Sequence, residues 1–301
     1  MKNQTIIFLF CLAVFCSCGS SVNDNSINRR LFDNYNDTDK IRLEVNNAGM
    51  DLKVAKDDRF VWIYNIDNIK EVQADVNKAV DEILEKNKSI CEYDIKSEWA
   101  RVIICYFKKI PEKDKFNKAL DLPFMDKGDA GYYTYNIYKY NGRPCWCNIV
   151  YGNEEVGNGT IIHEITHVLT RISYGGELPY KIDECLVKAI SPFDPTLTFK
   201  KENTVTVVNY YSYSLGNYLK QKKDPSLDSL ITDINKENIN SYDAGCLFFR
   251  YVISEGKMRL VLDDYLKRKV LRTDIIEKIM GSDKVTIYKH FEKWLRQEKY
   301  I

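Results

Sequence analysis

Apolar residues recur along this chain with two periods, and the place where one gives way to the other divides it. Residues 41–45 (IRLEV) alternate apolar and polar positions and predict a strand. Between residues 68 and 86, Ile69, Val72, Val76, Val80, Ile83 and Leu84 fall at helical spacing and predict an amphipathic helix. Residues 101–107 (RVIICYF) are a compact run of β-formers, read as a central strand. Pro111 and the charges after it open a short helix over residues 113–120. Residues 131–138 and 147–151 predict two further strands separated by the Asn141-Gly142 turn. Gly157-Asn158-Gly159 ends that region, a helix follows over residues 160–173, and Gly175-Gly176 stops it.

After Lys181 the pattern is helical in period, with segments at 182–190, 209–221, 226–234, 243–255, 258–267, 274–280 and 284–297, and no strand pair is expected. The fold class expected is α+β. A short mixed sheet with helices spans residues 40–176, an all-helical subdomain spans residues 177–301, and the helix at 160–173 lies at their junction.

The first forty residues follow neither period. Lys2 precedes a ten-residue apolar run over residues 6–15, too short for about 30 Å of hydrocarbon and suited to a signal-peptide core. Ser17 is the small residue that a signal peptidase needs before its cut, so residues 1–17 are expected to be removed and Cys18 to become the N-terminus. Ser17-Cys18-Gly19-Ser20 resembles a bacterial lipoprotein lipobox, although the usual Leu is Phe15 here. That resemblance implies a lipid on Cys18 and an exported, membrane-anchored protein, periplasmic or at the cell surface. Residues 18–39 are polar and Asn/Asp/Ser-rich, and read as a flexible tether.

Composition excludes more than it identifies. The formal net charge is +1 with charges of both signs interspersed, so nothing draws the chain to nucleic acid. Past Cys18 remain Cys91, Cys105, Cys145, Cys147, Cys185 and Cys246, an even number that permits up to three disulfides or free buried thiols. The one-residue spacing of Cys145-Trp146-Cys147 does not suit a zinc knuckle.

Chemistry enters at His163-Glu164-Ile165-Thr166-His167. Residues four apart share a helix face, so both imidazoles can reach one metal ion, and Glu164 can take a proton from water on that ion. The chain has only three histidines, and two of them stand in this pattern. A third His ligand in the pattern HExxHxxGxxH would need Gly at 170 and His at 173, where Thr170 and Ser173 stand. His290, on a terminal amphipathic helix, reads as a packed or surface residue. A carboxylate from the following helix remains, with Glu184 the first candidate and Asp183 the alternative.

The segments HEITH and IDECLVKAI together resemble the gluzincin clan of zinc metallopeptidases, with bacterial collagenase-like and peptidase MA-like domains nearest. Residues 241–251 (SYDAGCLFFRY) are similar to the helix that follows the metal helices in those domains, as are the Gly281-Ser282 turn and the helix carrying Trp294. The resemblance implies a zincin-like fold with Zn2+ held by His163, His167 and Glu184 and with Glu164 as general base. Two positions depart from the clan. Its Gly after the ligand Glu is Cys185, and the often acidic or small position four residues on is Lys188. An oxyanion donor is expected among the tyrosines, with Tyr242 first and Tyr210, Tyr211 and Tyr213 after it. Residues 131–134 resemble the edge strand along which zincins align an extended substrate. The expected activity is hydrolysis of peptide bonds in extracellular or cell-surface proteins or peptides. The rival reading is a surface binding lipoprotein on a zincin scaffold whose metal is structural or vestigial.

Overall fold

A computed structural model of the chain describes residues 27–47, 49, 51–91, 100–119, 132–140, 142–155, 157–174, 178–191, 196–201, 204–222, 225–236 and 242–301. The expected signal peptide, Cys18, Gly131, Asn141 and Gly175-Gly176 lie outside these residues. The described part is α+β: strands β1 (Lys53–Lys56), β2 (Val61–Tyr64), β3 (Ala100–Phe107), β4 (Tyr132–Tyr140) and β5 (Arg143–Asn153) form a mixed sheet in the order β1-β2-β3-β5-β4. β2, β3 and β5 run parallel, with β1 and β4 antiparallel at the two edges. Gly142, at φ 78°, supplies the left-handed conformation that the tight β4–β5 turn requires.

Alternation along the central strands gives the sheet two apolar faces. Val102, Ile104 and Tyr106 of β3 join Trp62 and Val150 on one side, while Ile103, Cys105 and Phe107 join Val61, Ile63 and Ile149 on the other. The second face is covered by α1 (Ile27–Asp33), α2 (Thr38–Asn47) and α4 (Ile110–Ala119), which contribute Leu31 and Phe32, Ile41 and Val45, and Phe116. The first is covered by α3 (Ile69–Lys86) and α5 (Asn158–Tyr174). Residues of α5 are buried on nearly every side, as expected of a helix enclosed in a core rather than lying on a surface. Behind it come α6 (Tyr180–Ile190), α7 (Tyr210–Gln221), α8 (Leu227–Asn235), α9 (Tyr242–Ser254), α10 (Met258–Arg268), α11 (Thr273–Met280) and α12 (Lys284–Gln297). No helix among the described residues is long and apolar enough to cross a membrane.

Three expectations are corrected here. Residues 41–45 lie in helix α2 and not in a strand: Ile41 and Val45, four apart, are fully buried, while Leu43 between them is 60% exposed. A strand would have put all three on one face. The expected tether is folded from Ile27 onward, since Leu31 and Phe32 are buried and the Tyr35 hydroxyl donates to the Val102 carbonyl at 3.1 Å. Finally, the C-terminal half is not all-helical. Strands β6 (Thr196–Lys201) and β7 (Thr204–Asn209) form an antiparallel hairpin, a use of alternating Thr, Val and Phe that the helical reading passed over. Asn209 ends β7 and caps α7, its side chain accepting from the Ser212 amide.

One glycine sets how closely α5 lies on the sheet. A methyl group added at Gly152 in β5 would stand 2.2 Å from Ile161 Cγ1 and 3.2 Å from Tyr106 Cδ2. Asn158 pins the same end of the helix, accepting from the Tyr106 hydroxyl and donating to Asp75 of α3. Gly152→Ala is therefore expected to lower stability by about 1–3 kcal/mol through overpacking, read as a lower urea midpoint at unchanged m-value.

Candidate metal centre

His163 and His167 stand one turn apart on α5, with ring centroids 4.8 Å apart and planes nearly perpendicular at 88°. Their Nε2 atoms are 3.2 Å apart. Glu184, in the first half of α6, brings Oε1 to 3.1 Å from His167 Nε2 and Oε2 to 3.5 Å from His163 Nε2. Bonds of about 2.0–2.1 Å to a tetrahedral zinc ion imply ligand atoms about 3.3–3.4 Å apart, so these spacings suit a single ion of that size. Among the described residues these three form the group of donor side chains able to hold a metal.

The donor chemistry fits a cation as well as the distances do. His167 Nδ1 lies 2.8 Å from Asp183 Oδ2. A carboxylate only accepts, so that nitrogen carries a proton, and Nε2 faces Glu184 and His163, donating to the carboxylate when the ring is protonated and offering its lone pair when it is neutral. The two Nε2 atoms and the Glu184 carboxylate thus converge on one point, where either a proton on the imidazoles or a metal ion can be shared. Burial alone would drive this imidazole toward neutrality, yet its hydrogen bonds to the Asp183 and Glu184 carboxylates lift it to about 10. Burial likewise pushes Glu184 up, but the two imidazoles outweigh it and hold the carboxyl below the usual range. The site is walled on one side and open on the other: the His167 side chain is 3% exposed and His163 27%.

Asp183 is thereby reassigned. Sequence reasoning held it as an alternative ligand, and the structure turns its carboxylate to the far nitrogen of His167. Its second oxygen lies 2.7 Å from Thr170 Oγ1, which also sits 3.0 Å from the His167 carbonyl oxygen. Thr170 entered the sequence argument only as a residue that was not Gly. Its role depends on a contact across thirteen residues that no local pattern announces. Asp183→Asn is expected to weaken metal binding about 10- to 100-fold by loosening the orientation and basicity of His167, measured by competition with a chromogenic chelator.

The other expectations are placed as follows. Glu164 is buried beside His163 on α5. Lys188, one turn beyond Glu184, has its ammonium 3.5 Å from Asp243 of α9, and Asp243 in turn accepts from Ser214 at 2.5 Å. The departure at this position is thus taken up by an ion pair between α6 and α9. Cys185 is buried among apolar residues, and burial pushes its thiol up, so it stays neutral and adds no thiolate to the donor group. All six described cysteines are buried thiols outside any disulfide. Tyr242 opens α9 next to Asp243, and its side chain lies outside the described residues, as does that of Tyr210. Tyr211 is buried under the Arg250 guanidinium, Tyr213 is 47% exposed, and His290 is a surface residue of α12. β4 is an edge strand, and α5 packs against it as well as against β5. No protein-family model and no curated protein matches the chain.

Proposed function

We propose that this chain is a zinc metallopeptidase of the gluzincin type, with a zincin-like fold, that cleaves peptide bonds in extracellular or cell-surface proteins. The convergence of His163, His167 and Glu184 at ligand spacing carries the reading. Support comes from Glu164 beside the first ligand, an open direction on the exposed side of His163, and an edge strand next to the helix that bears both histidines. A base at Glu164 has no use in a purely structural site, which is why an enzyme is preferred to a binding protein. The lipobox resemblance adds an N-terminal lipid on Cys18 and an exported address.

Zinc held by His163, His167 and Glu184 would supply Lewis acidity toward a carbonyl oxygen and would lower the pKa of water toward neutral. Glu164 accepts the proton of the attacking water and returns it to the leaving amine nitrogen. Asp183 keeps the proton of His167 on Nδ1, so that the Nε2 lone pair can coordinate, and Thr170 holds Asp183 in that orientation. Tyr242 is the proposed donor to the developing oxyanion, and β4 the proposed rail for an extended substrate backbone. The decisive experiment digests a diverse peptide library with zinc-loaded wild type and with Glu164→Gln. Stable zinc binding with no cleavage by either protein turns the reading to the binding protein.

A further inference from the structure

Three consecutive residues of α6 face three different tasks. Asp183 holds His167, Glu184 closes the metal triangle, and Cys185 drives its thiol into the neighbouring helix α9. At that contact α9 has no side chain. A methyl group added at Gly245 would stand 3.2 Å from Cys185 Sγ, and 3.0 and 3.2 Å from Cγ1 and Cδ1 of Ile234 in α8. We propose that Cys185 and Gly245 are a size-matched positioning pair that sets the rotation of α6 about its axis, and with it the place of the Glu184 carboxylate in the metal site. The proposal rests on the metal-site reading above.

Geometry explains why so small a contact matters. Helical side chains reach about 5–6 Å from their axis, so a rotation of about 10° carries a donor atom about 1 Å. Metal–ligand bonds tolerate about 0.2 Å. Position 185 lies about 100° round from 184, so a push on the thiol turns the carboxylate rather than only sliding the helix. α9 grips α6 at two further points. Asp243 meets Lys188, and Arg250 donates to the carbonyl oxygens of Lys188 and Ser191 at 3.0 and 3.4 Å. These fix the distance between the helices and the end of α6, and the buried thiol is the contact nearest Glu184. The ion pair and the carbonyl contacts lie toward the C-terminal end of α6, whereas the thiol adjoins Glu184 and acts on the turn that carries it.

A double-substitution cycle on the full exported domain tests this, with zinc affinity read by chelator competition and metal-free stability read by urea unfolding. Cys185→Ala removes the stop and Gly245→Ala overfills it, so each alone is expected to weaken zinc binding about 10-fold or more. In the double variant the methyl group introduced at position 245 takes the space of the missing sulfur, and zinc affinity is expected within about threefold of wild type by the same measure. Ile234→Val in the Gly245→Ala background removes Cδ1 and leaves Cγ1, so it eases only the α8 side and is expected to recover part of the stability and no zinc affinity. Zinc affinity unchanged in Cys185→Ala, which only removes one sulfur atom and folds in any case, overturns the proposal. So does a double variant no better than its weaker parent, or recovery of zinc affinity by Ile234→Val. A wild type that binds no zinc overturns the metal reading and the proposal together, whereas wild-type binding with no coupling overturns the proposal alone.

Discussion

Glu164→Gln is expected to keep one zinc ion per chain at near wild-type affinity and to lose peptide hydrolysis by about 10²–10⁴-fold, the usual contribution of a general base. The amide is the same size as the carboxylate, so the buried position on α5 is refilled without a cavity, and the three donors His163, His167 and Glu184 are untouched. What disappears is the capacity to take a proton. The loss should fall on kcat with little change in KM, because a general base acts as charge develops and not in holding the ground state. Metal analysis of the same preparations separates this outcome from simple demetallation. A variant that keeps full activity would remove Glu164 from the mechanism.

The second large effect separates the two histidines. Structural zinc sites bind with about 10–16 kcal/mol shared over four ligands, so losing one ligand is expected to weaken binding by about 3–4 kcal/mol, or about 10²–10³-fold. His163→Ala and His167→Ala should share that loss. They should differ in the metal-free fold. His163 is 27% exposed at the mouth of the site, whereas His167 is 3% exposed and is the charged partner of buried Asp183, whose other oxygen accepts from Thr170. Removing His167 leaves an uncompensated buried carboxylate, expected to destabilise the metal-free protein by about 3–5 kcal/mol, against little change for His163→Ala. Urea unfolding in excess chelator reads the difference.

The same imidazole links metal binding to pH. In the metal-free protein His167 is held protonated up to about 10, while coordination needs its Nε2 deprotonated. At neutral pH each metal ion bound should therefore release about one proton, and affinity should rise about tenfold per pH unit until pH approaches 10. Calorimetry in two buffers of different ionisation enthalpy measures that proton. In the metal-free protein the sign for stability is the opposite. A raised histidine pKa stabilises the fold fully below about 6.5, the unfolded value, and that stabilisation is lost as pH rises through about 10.

Most helices were legible because their cause is local. α3 buries Ile69, Val72, Val76, Val80 and Ile83 at the spacing that exposes one face per turn, and α9 through α12 follow the same rule. Where reading failed, local patterns were ambiguous and long-range packing chose. IRLEV is equally good as a strand or as a helix until Leu43 is known to face solvent. The four-residue strands β1 and β2 are too short to show a period; β2 exists because β3 offers a parallel partner, and β1 pairs antiparallel to β2 at the edge.

For the placement of the two histidines of HEITH on one helix face the sequence alone was enough. Two imidazoles one helical turn apart with a carboxylate between them follow from helix geometry, whatever surrounds the helix. Which of two adjacent carboxylates faces the pair of Nε2 atoms was different. Residues 183 and 184 point about 100° apart, and only the seating of α6 against α5 and α9 sends one to the far side of His167 and the other into the triangle. The same seating gave Thr170 a partner, set Lys188 against Asp243, and opposed the Cys185 thiol to a glycine. The donor residues were thus legible in local spacing, whereas their division of labour depends on how α6 seats against α5 and α9, with α9 about sixty residues away in sequence.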